Sequence, residues 1–404
     1  MKKRFKGFWF EGFWFAKRIG KTGLICFGLT FLIYVLLFQR RVLLDITAQV
    51  QTLVKVCHGE VALPPTAMFY ISTWLVTFGQ CEFFWLMGGA VVTLSVFGLA
   101  KFLITRRIFE DYFGETSDSN TAFGWLALLL GFVCSLPTAD WWGRGYYIAG
   151  QPSPNYWMNG TLAASYPFAI ALFWQSYRQL RQPSPNGWRW QLLLIVLLAV
   201  SKPSYLFVFG LVYPAFLIGN HFRNRRVLLT QLAPLALAGL LLALEYYLVF
   251  IYPPSVYVQD FNLGRASGVV FRPLEVWRLY SSNIPLSILA GVLFPLGVAV
   301  SYWSELRSRL LFWYAWAGFG AAIAVSAAFM QTGEEYYNWS FRFQHYIAAY
   351  LLFLVSVLFV WEKIQMNGYR LRGGKLWWSV GLFALHLGSG IVYLAKMWWT
   401  RSYY

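Results

Sequence analysis

The sequence predicts an all-α, polytopic membrane fold of about 11 transmembrane helices, most of them near the length that crosses a bilayer. Three observations carry that prediction. Apolar runs close to ~20 residues recur along the chain. Only 12% of its residues are charged, against roughly 25% in soluble domains. The basic residues alternate between spans in the pattern that orients membrane proteins.

Spans are expected at 22–39, 84–105, 121–138, 159–177, 190–201, 204–219, 228–252, 284–302, 310–330, 344–361 and 376–395. The whole chain, 1–404, is then a single integral membrane domain, since no polar stretch is long enough for a soluble one. With the N-terminus inside, 22 of the 33 Lys and Arg fall in cytoplasmic segments, among them Lys101, Arg106, Arg107, Arg178, Arg181, Arg309 and Lys363. Positive loops stay in the cytoplasm during insertion. The formal charge of +17 therefore orients the chain; no nucleic-acid partner is expected.

Residues 1–21 repeat GFWF at 7–10 and 12–15 among basic residues and lack a small-residue cleavage site. They read as a cytoplasmic interfacial segment, not a cleaved signal. The first external loop, 41–83, contains one run, 66–80, apolar enough to resemble a span. Counting it as a span would put Lys101, Arg106 and Arg107 outside, so it is expected to lie along the surface. Ile46, Val50, Leu53, Val54 and Cys57 recur at helical intervals and predict a second surface helix before it. Pro64-Pro65 breaks the chain between the two. Cys57 and Cys81 share this loop, where a disulfide and two free thiols are both open. Cys26 and Cys134 fall in spans and read as packing residues.

Residues 190–219 must go out and return, because Arg178 and Arg181 precede them and Arg223, Arg225 and Arg226 follow. The first arm is only about a dozen apolar residues, roughly 16–18 Å of helix, too short to cross. Its turn at Lys202 should therefore sit at membrane depth, lining a cavity. Further external loops are expected at 139–158, 253–283 and 331–343. QPSPN occurs at 151–155 and again at 182–186, which reads as recurring turn chemistry.

Candidate chemistry gathers in the external segments. Asp45 can serve as a general base at the membrane face or as a helix N-cap, and the two roles are compatible. Lys202, Arg342, Arg144, Arg265 and Arg272 offer cations to a phosphate, with His345 beside Arg342. Trp141, Trp142, Tyr146 and Tyr147, with Tyr156 and Trp157 further on, can seat sugar rings or anchor at the interface. Glu334 and Glu335 could pair with arginines or hold a divalent cation; no metal site is otherwise indicated. Glu245 can pair with a cavity cation or be protonated and structural. His386 reads as a hydrogen-bonded packing residue. No zinc-ligand spacing, phosphate-binding Gly loop or nucleophile elbow occurs.

A single span, then an acid, then surface helices broken by Pro-Pro resembles the opening layout of GT-C superfamily glycosyltransferases over roughly residues 20–105. Relatives of the protein mannosyltransferases often carry His-Pro-Pro-Leu where this chain has Leu63-Pro64-Pro65-Thr66, so the His is missing. The resemblance implies a sugar transferase using a polyprenyl-phosphate-linked donor, with Asp45 as base and a glycan, lipid or protein as acceptor. It implies a multi-pass protein of a bacterial inner membrane, N-terminus cytoplasmic and active face extracytoplasmic. A polymerase or ligase acting on undecaprenyl-pyrophosphate glycans is the enzymatic rival. A transporter or lipid flippase is the other.

Overall fold

The computed structural model describes residues 19–42, 45–114, 119–140, 148–184, 186–251, 268–332 and 340–401. The first helices are α1 (Gly20–Gln39), α2 (Asp45–Cys57), α3 (Met68–Val76), α4 (Phe83–Phe113) and α5 (Ser119–Leu130). Next come α6 (Gly160–Arg181), α7 (Gly187–Ser201), α8 (Ser204–His221) and α9 (Arg225–Tyr246), which runs on as a π-helix, Tyr247–Ile251. The remainder is β1 (Val269–Phe271), α10 (Glu275–Tyr280), α11 (Ile284–Ser301), α12 (Trp303–Leu306), α13 (Leu310–Ala328), β2 (Phe329–Gln331), α14 (Phe343–Met366) and α15 (Gly374–Thr400). The two strands pair antiparallel and tie together two segments expected to be separate loops.

Among the described residues, eight helical stretches are long and apolar enough to cross a membrane: Gly20–Gln39, Phe83–Phe113, Ser204–His221, Arg225–Ile251, Ile284–Ser301, Leu310–Ala328, Ser340–Met366 and Gly374–Thr400. The protein is a multi-pass helical membrane protein. Three of the expected spans correspond to α5, α6 and α7, which are not among the eight. At 15 residues α7 is short, as the Lys202 turn requires. Helix α6 is long enough, but polar through Thr161, Ser165, Gln175 and Ser176. It can be so because nearly all of its side chains face protein: 18 of its 22 residues are buried. It packs chiefly on α7 and α4, and the most buried helix of the bundle is α14, without interruption from Phe343 to Val360.

The expected span 121–138 needs correction. Helix α5 stops at Leu130, and residues 133–138 continue as irregular chain. Within the expected external loop 139–158, residues 148–156 are buried inside the bundle. Irregular backbone is tolerated in such a bundle only when protein satisfies its polar groups. Asn155 Nδ2 donates to the last carbonyl of α5, Leu130 O, at 2.9 Å and to Val133 O, in the irregular chain beyond it, at 2.7 Å. The Cys134 N–H donates to His386 O and the Leu136 N–H to Ala290 O, both at 3.0 Å.

That second bond breaks α11. Ala290 O is the ordinary acceptor for the Phe294 N–H, and the helix is kinked between them at Val292, φ −128°. His386 Nε2 takes the freed Phe294 N–H at 3.3 Å, while Nδ1 donates to Cys134 O at 2.6 Å. A donor on one side and an acceptor on the other fix a neutral imidazole protonated at Nδ1. Close approach completes the lock. A Cβ at Gly390 would lie 1.7 Å from Phe132 O, and one at Gly291 2.5 Å from Pro152 O.

Lys101 also differs from expectation. It is not in a cytoplasmic loop: its ammonium lies between the rings of Tyr166 (3.9 Å) and Tyr350 (4.0 Å) and donates to Asn155 Oδ1. The two QPSPN copies have opposite environments. The first is fully buried, whereas the second forms the exposed turn between α6 and α7.

Helices α2 and α3 form as the spacing predicts, with Ile46, Val50 and Leu53 buried and residues 62–64 extended before Pro65. Cys57 and Cys81 form a disulfide, their Cα atoms 5.8 Å apart. Cys26 and Cys134 are free and buried. An impermeant maleimide added outside intact cells should therefore label the protein only after reduction, and the Cys57→Ser/Cys81→Ser pair should abolish that labelling.

Interhelical hydrogen bonds in membrane bundles are worth about 0.6–2 kcal/mol each. His386→Ala removes two of them and should lower stability by roughly 1–3 kcal/mol, read as earlier thermal unfolding in detergent.

Candidate active site

The site is assembled where α2 meets the start of α6. Asn159 is the N-cap of α6, its Oδ1 accepting the Leu162 N–H at 2.9 Å. With Oδ1 committed to the helix, Nδ2 points away and donates to Asp45 Oδ2 at 3.1 Å. Next along each chain, Gln49 Oε1 accepts the Gly160 N–H at 2.9 Å. Gly160 must be glycine here, because a Cβ would lie 2.7 Å from both Gln49 Oε1 and the Phe69 ring. The Ile46 N–H adds a bond to Met158 O.

Asp45 is thus the first residue of α2, not a side-chain cap of it. Among the described residues its carboxylate is bonded to Asn159, with no bond to its own helix. That leaves acceptor capacity on both oxygens.

Two cations face this corner, one half-buried and one buried. Lys202, in the extended turn between α7 and α8, donates to Thr161 Oγ1 at 3.2 Å and sits 3.9 Å over the Phe343 ring. Arg342, in the 3-10 turn ahead of α14, is 7% exposed. Its Nη2 donates to the Tyr156 hydroxyl at 3.2 Å, and its guanidinium lies 5.6 Å from the rings of Tyr156, Tyr280 and Phe343. Its buried Nε has no partner. Asp45 is close enough to act electrostatically on both cations, yet no carboxylate among the described residues is in ion-pair contact with either.

Cations elsewhere are treated differently. Arg309 makes a bidentate pair with Glu362 at 2.7 and 2.8 Å, and Tyr112 donates to the same carboxylate. Arg106 and Arg107 pair with Glu110, Arg178 with Asp111, and Lys363 with Glu305. These cations belong to the segments expected in the cytoplasm, where carboxylates neutralise them. Lys202 and Arg342 make no such pair among the described residues.

Lys202 opens onto a cavity of about 600 Å³, walled mostly by apolar groups such as Phe207, Leu211, Leu242 and Phe250. Glu245 lines the same cavity and interacts electrostatically with Lys202. It stands directly before the π-helix, and such segments cluster at functional sites.

The other predicted residues are distributed less favourably. His345 is fully buried, its ring edge-on to Tyr346 at 4.5 Å and 6.0 Å from Trp277, so it packs beneath Arg342 and does not reach the cavity. The Arg272 side chain is exposed and paired with Glu275 at 3.2 Å. Tyr156 stacks on Tyr346 and Trp157 on Tyr393, which makes both part of the core and not a sugar platform. Asp140 accepts the Ser282 N–H and holds two segments together. Arg144, Arg265, Trp141, Trp142, Tyr146, Tyr147, Glu334 and Glu335 lie outside the described residues.

Asn159, Thr161 and Phe343 escaped sequence reasoning. A capping pattern, Asn159 ahead of Gly-Thr-Leu, was the available signal for the first. No protein-family model, no curated protein and no solved structure matches the chain.

Asn159→Ala removes both the cap and the Asp45 contact. Loss of an N-cap costs about 1 kcal/mol, so the variant should unfold slightly earlier in a thermal scan. Asn159→Ser, which keeps the cap alone, should restore the stability.

Proposed function

We propose that this chain is an integral-membrane glycosyltransferase that moves a sugar from a polyprenyl-phosphate-linked donor at the extracytoplasmic face of a bacterial inner membrane. The observation that carries the proposal is one carboxylate, Asp45, facing the half-buried Lys202 and the buried Arg342, neither in ion-pair contact with a carboxylate among the described residues, beside a large apolar cavity. A donor of this class needs each part. Its isoprenoid chain fits apolar walls, its phosphate needs charge-assisted donors, and its acceptor needs a base.

In this reading Asp45 takes the proton from an acceptor hydroxyl. The oxygen bonds to the anomeric carbon, and the bond from that carbon to the phosphate oxygen breaks with its electron pair. The lipid phosphate gains charge as it leaves, and Lys202 and Arg342 stabilise it in surroundings where water does not screen them. Asn159 orients the base. Glu245, on the donor side of Lys202, is available to a sugar hydroxyl. No cluster of three or more His, Cys, Asp or Glu suited to a metal ion occurs among the described residues, and no step is routed through one.

The polymerase reading rests on external arginines. It is less favoured because Arg272 is paired with Glu275 at the surface. A transporter would use a midplane site between repeated halves, and no repeat is visible in the sequence.

Removing a general base typically costs 10²–10⁴-fold. Asp45→Asn, checked for normal membrane insertion, should cut glycan product by about that factor while sugar-lipid donor accumulates. Lys202→Met should act in the same direction. Full product with Asp45→Asn would overturn the proposal, and product loss without donor accumulation would favour a flippase.

A further inference from the structure

A second cavity lies against α2. It measures about 530 Å³ and runs between α1, α2 and α4. Its walls include Phe38, Met87 and Val91, and Ile46 and Thr47 line it immediately after Asp45. Two cavities therefore reach the catalytic corner: Lys202 lines one, and the residues next to Asp45 line the other. The exposed Phe84, at 70% of its surface, opens the second cavity laterally on the outer face of α4.

Arg41 belongs to this cavity and is held there at a backbone cost. Helix α1 ends in a Schellman motif: the Val42 N–H bonds Leu37 O at 3.2 Å, and the Arg41 N–H bonds Phe38 O at 2.9 Å. Such a motif puts its C′ residue in the left-handed region, where glycine is the usual occupant. Here that residue is Arg41, with φ 53°. A non-glycine side chain in this conformation costs roughly 1–2 kcal/mol. Arg41 is exposed and has no carboxylate contact among the described residues. Its neighbour Arg40 instead lies 4.1 Å from the Trp398 ring. A strained, unneutralised cation at the mouth of an apolar cavity has the form of a headgroup receptor.

Building on the transferase reading, we infer that the acceptor is an amphiphilic lipid bearing a phosphate, its apolar chains seated between α1, α2 and α4 and its phosphate at Arg41. Its hydroxyl then reaches Asp45 past Thr47, opposite the donor. A protein or free glycan acceptor would need neither an apolar seat open to the side nor a lone cation.

A photo-crosslinker tests the seat directly. With p-benzoylphenylalanine replacing Met87 in the full chain in native membranes, irradiation should capture phosphate-bearing lipid well above its share of the bilayer. One cation near a membrane surface is worth about fivefold in binding an anionic lipid. Arg41→Gly should lower the enrichment by about that factor while thermal stability holds or rises, because glycine suits the left-handed position. Capture of bilayer lipids in bulk proportion, of a peptide, or of the same lipid at the same level in Arg41→Gly would overturn the inference. Adding Asp45→Asn separates it from its parent. Capture should persist there, and if transfer also persists, the transferase chemistry fails while the lipid seat stands.

Discussion

The neutral imidazole of His386 holds the interior together. It sits on α15 where two other pieces of backbone lack regular partners, the irregular stretch after α5 and the kink of α11. Inside a membrane bundle there is no water to make good an unpaired N–H. His386 serves as donor to Cys134 O and acceptor from Phe294 N–H, and its own carbonyl takes Cys134 N–H. Because α5 can then stop early, residues 148–158 can pass through the bundle and deliver Met158 and Asn159 to α2. The corner that holds Asp45 is a downstream result of that bridge.

Charge pairing is uneven across the molecule, and the unevenness carries the functional argument. Arg309, bound by two oxygens of Glu362 and braced by Tyr112, is satisfied. Lys202 and Arg342 rest on aromatic faces and hydroxyls alone. Aromatic faces stabilise a cation without cancelling its charge, so both remain able to attract an anion. Burial of such groups is costly and marks function more often than architecture.

Much of this fold was legible because its signals are local. The period of Ile46, Val50 and Leu53 gave α2, and Pro64-Pro65 gave its separation from α3. The short apolar arm before Lys202 placed that residue in a cavity wall. The failures were non-local. Residues 121–138 have the composition of a span, and nothing near Leu130 announces that Asn155 will cap the helix there. Likewise Lys101 was read as a loop charge by its type, since the two rings that enclose it are distant in sequence. Trp157 and Tyr156 looked like a sugar surface, but aromatics in a polar-looking loop pack as core once that loop is drawn inside. Asp45 and Lys202 were found by position, whereas Asn159, which links one to the other helix, needed the tertiary structure.

The enclosure of Lys101 bears on how the protein is made. Helix α4 precedes the last ring of its cage by most of the chain: Thr105, one turn along from Lys101, bonds a Tyr350 hydroxyl 245 residues away. When α4 leaves the translocation machinery, Tyr350 has not been synthesised, and α4 carries a lysine toward hydrocarbon with its shield missing. Such an ammonium disfavours release into lipid by about 2.5–3.5 kcal/mol. Helix α4 therefore has reason to stay beside the insertion machinery, with α1 against it, until α14 arrives. The lysine acts as a clock for assembly, and the central helix of the bundle is also the one that completes it.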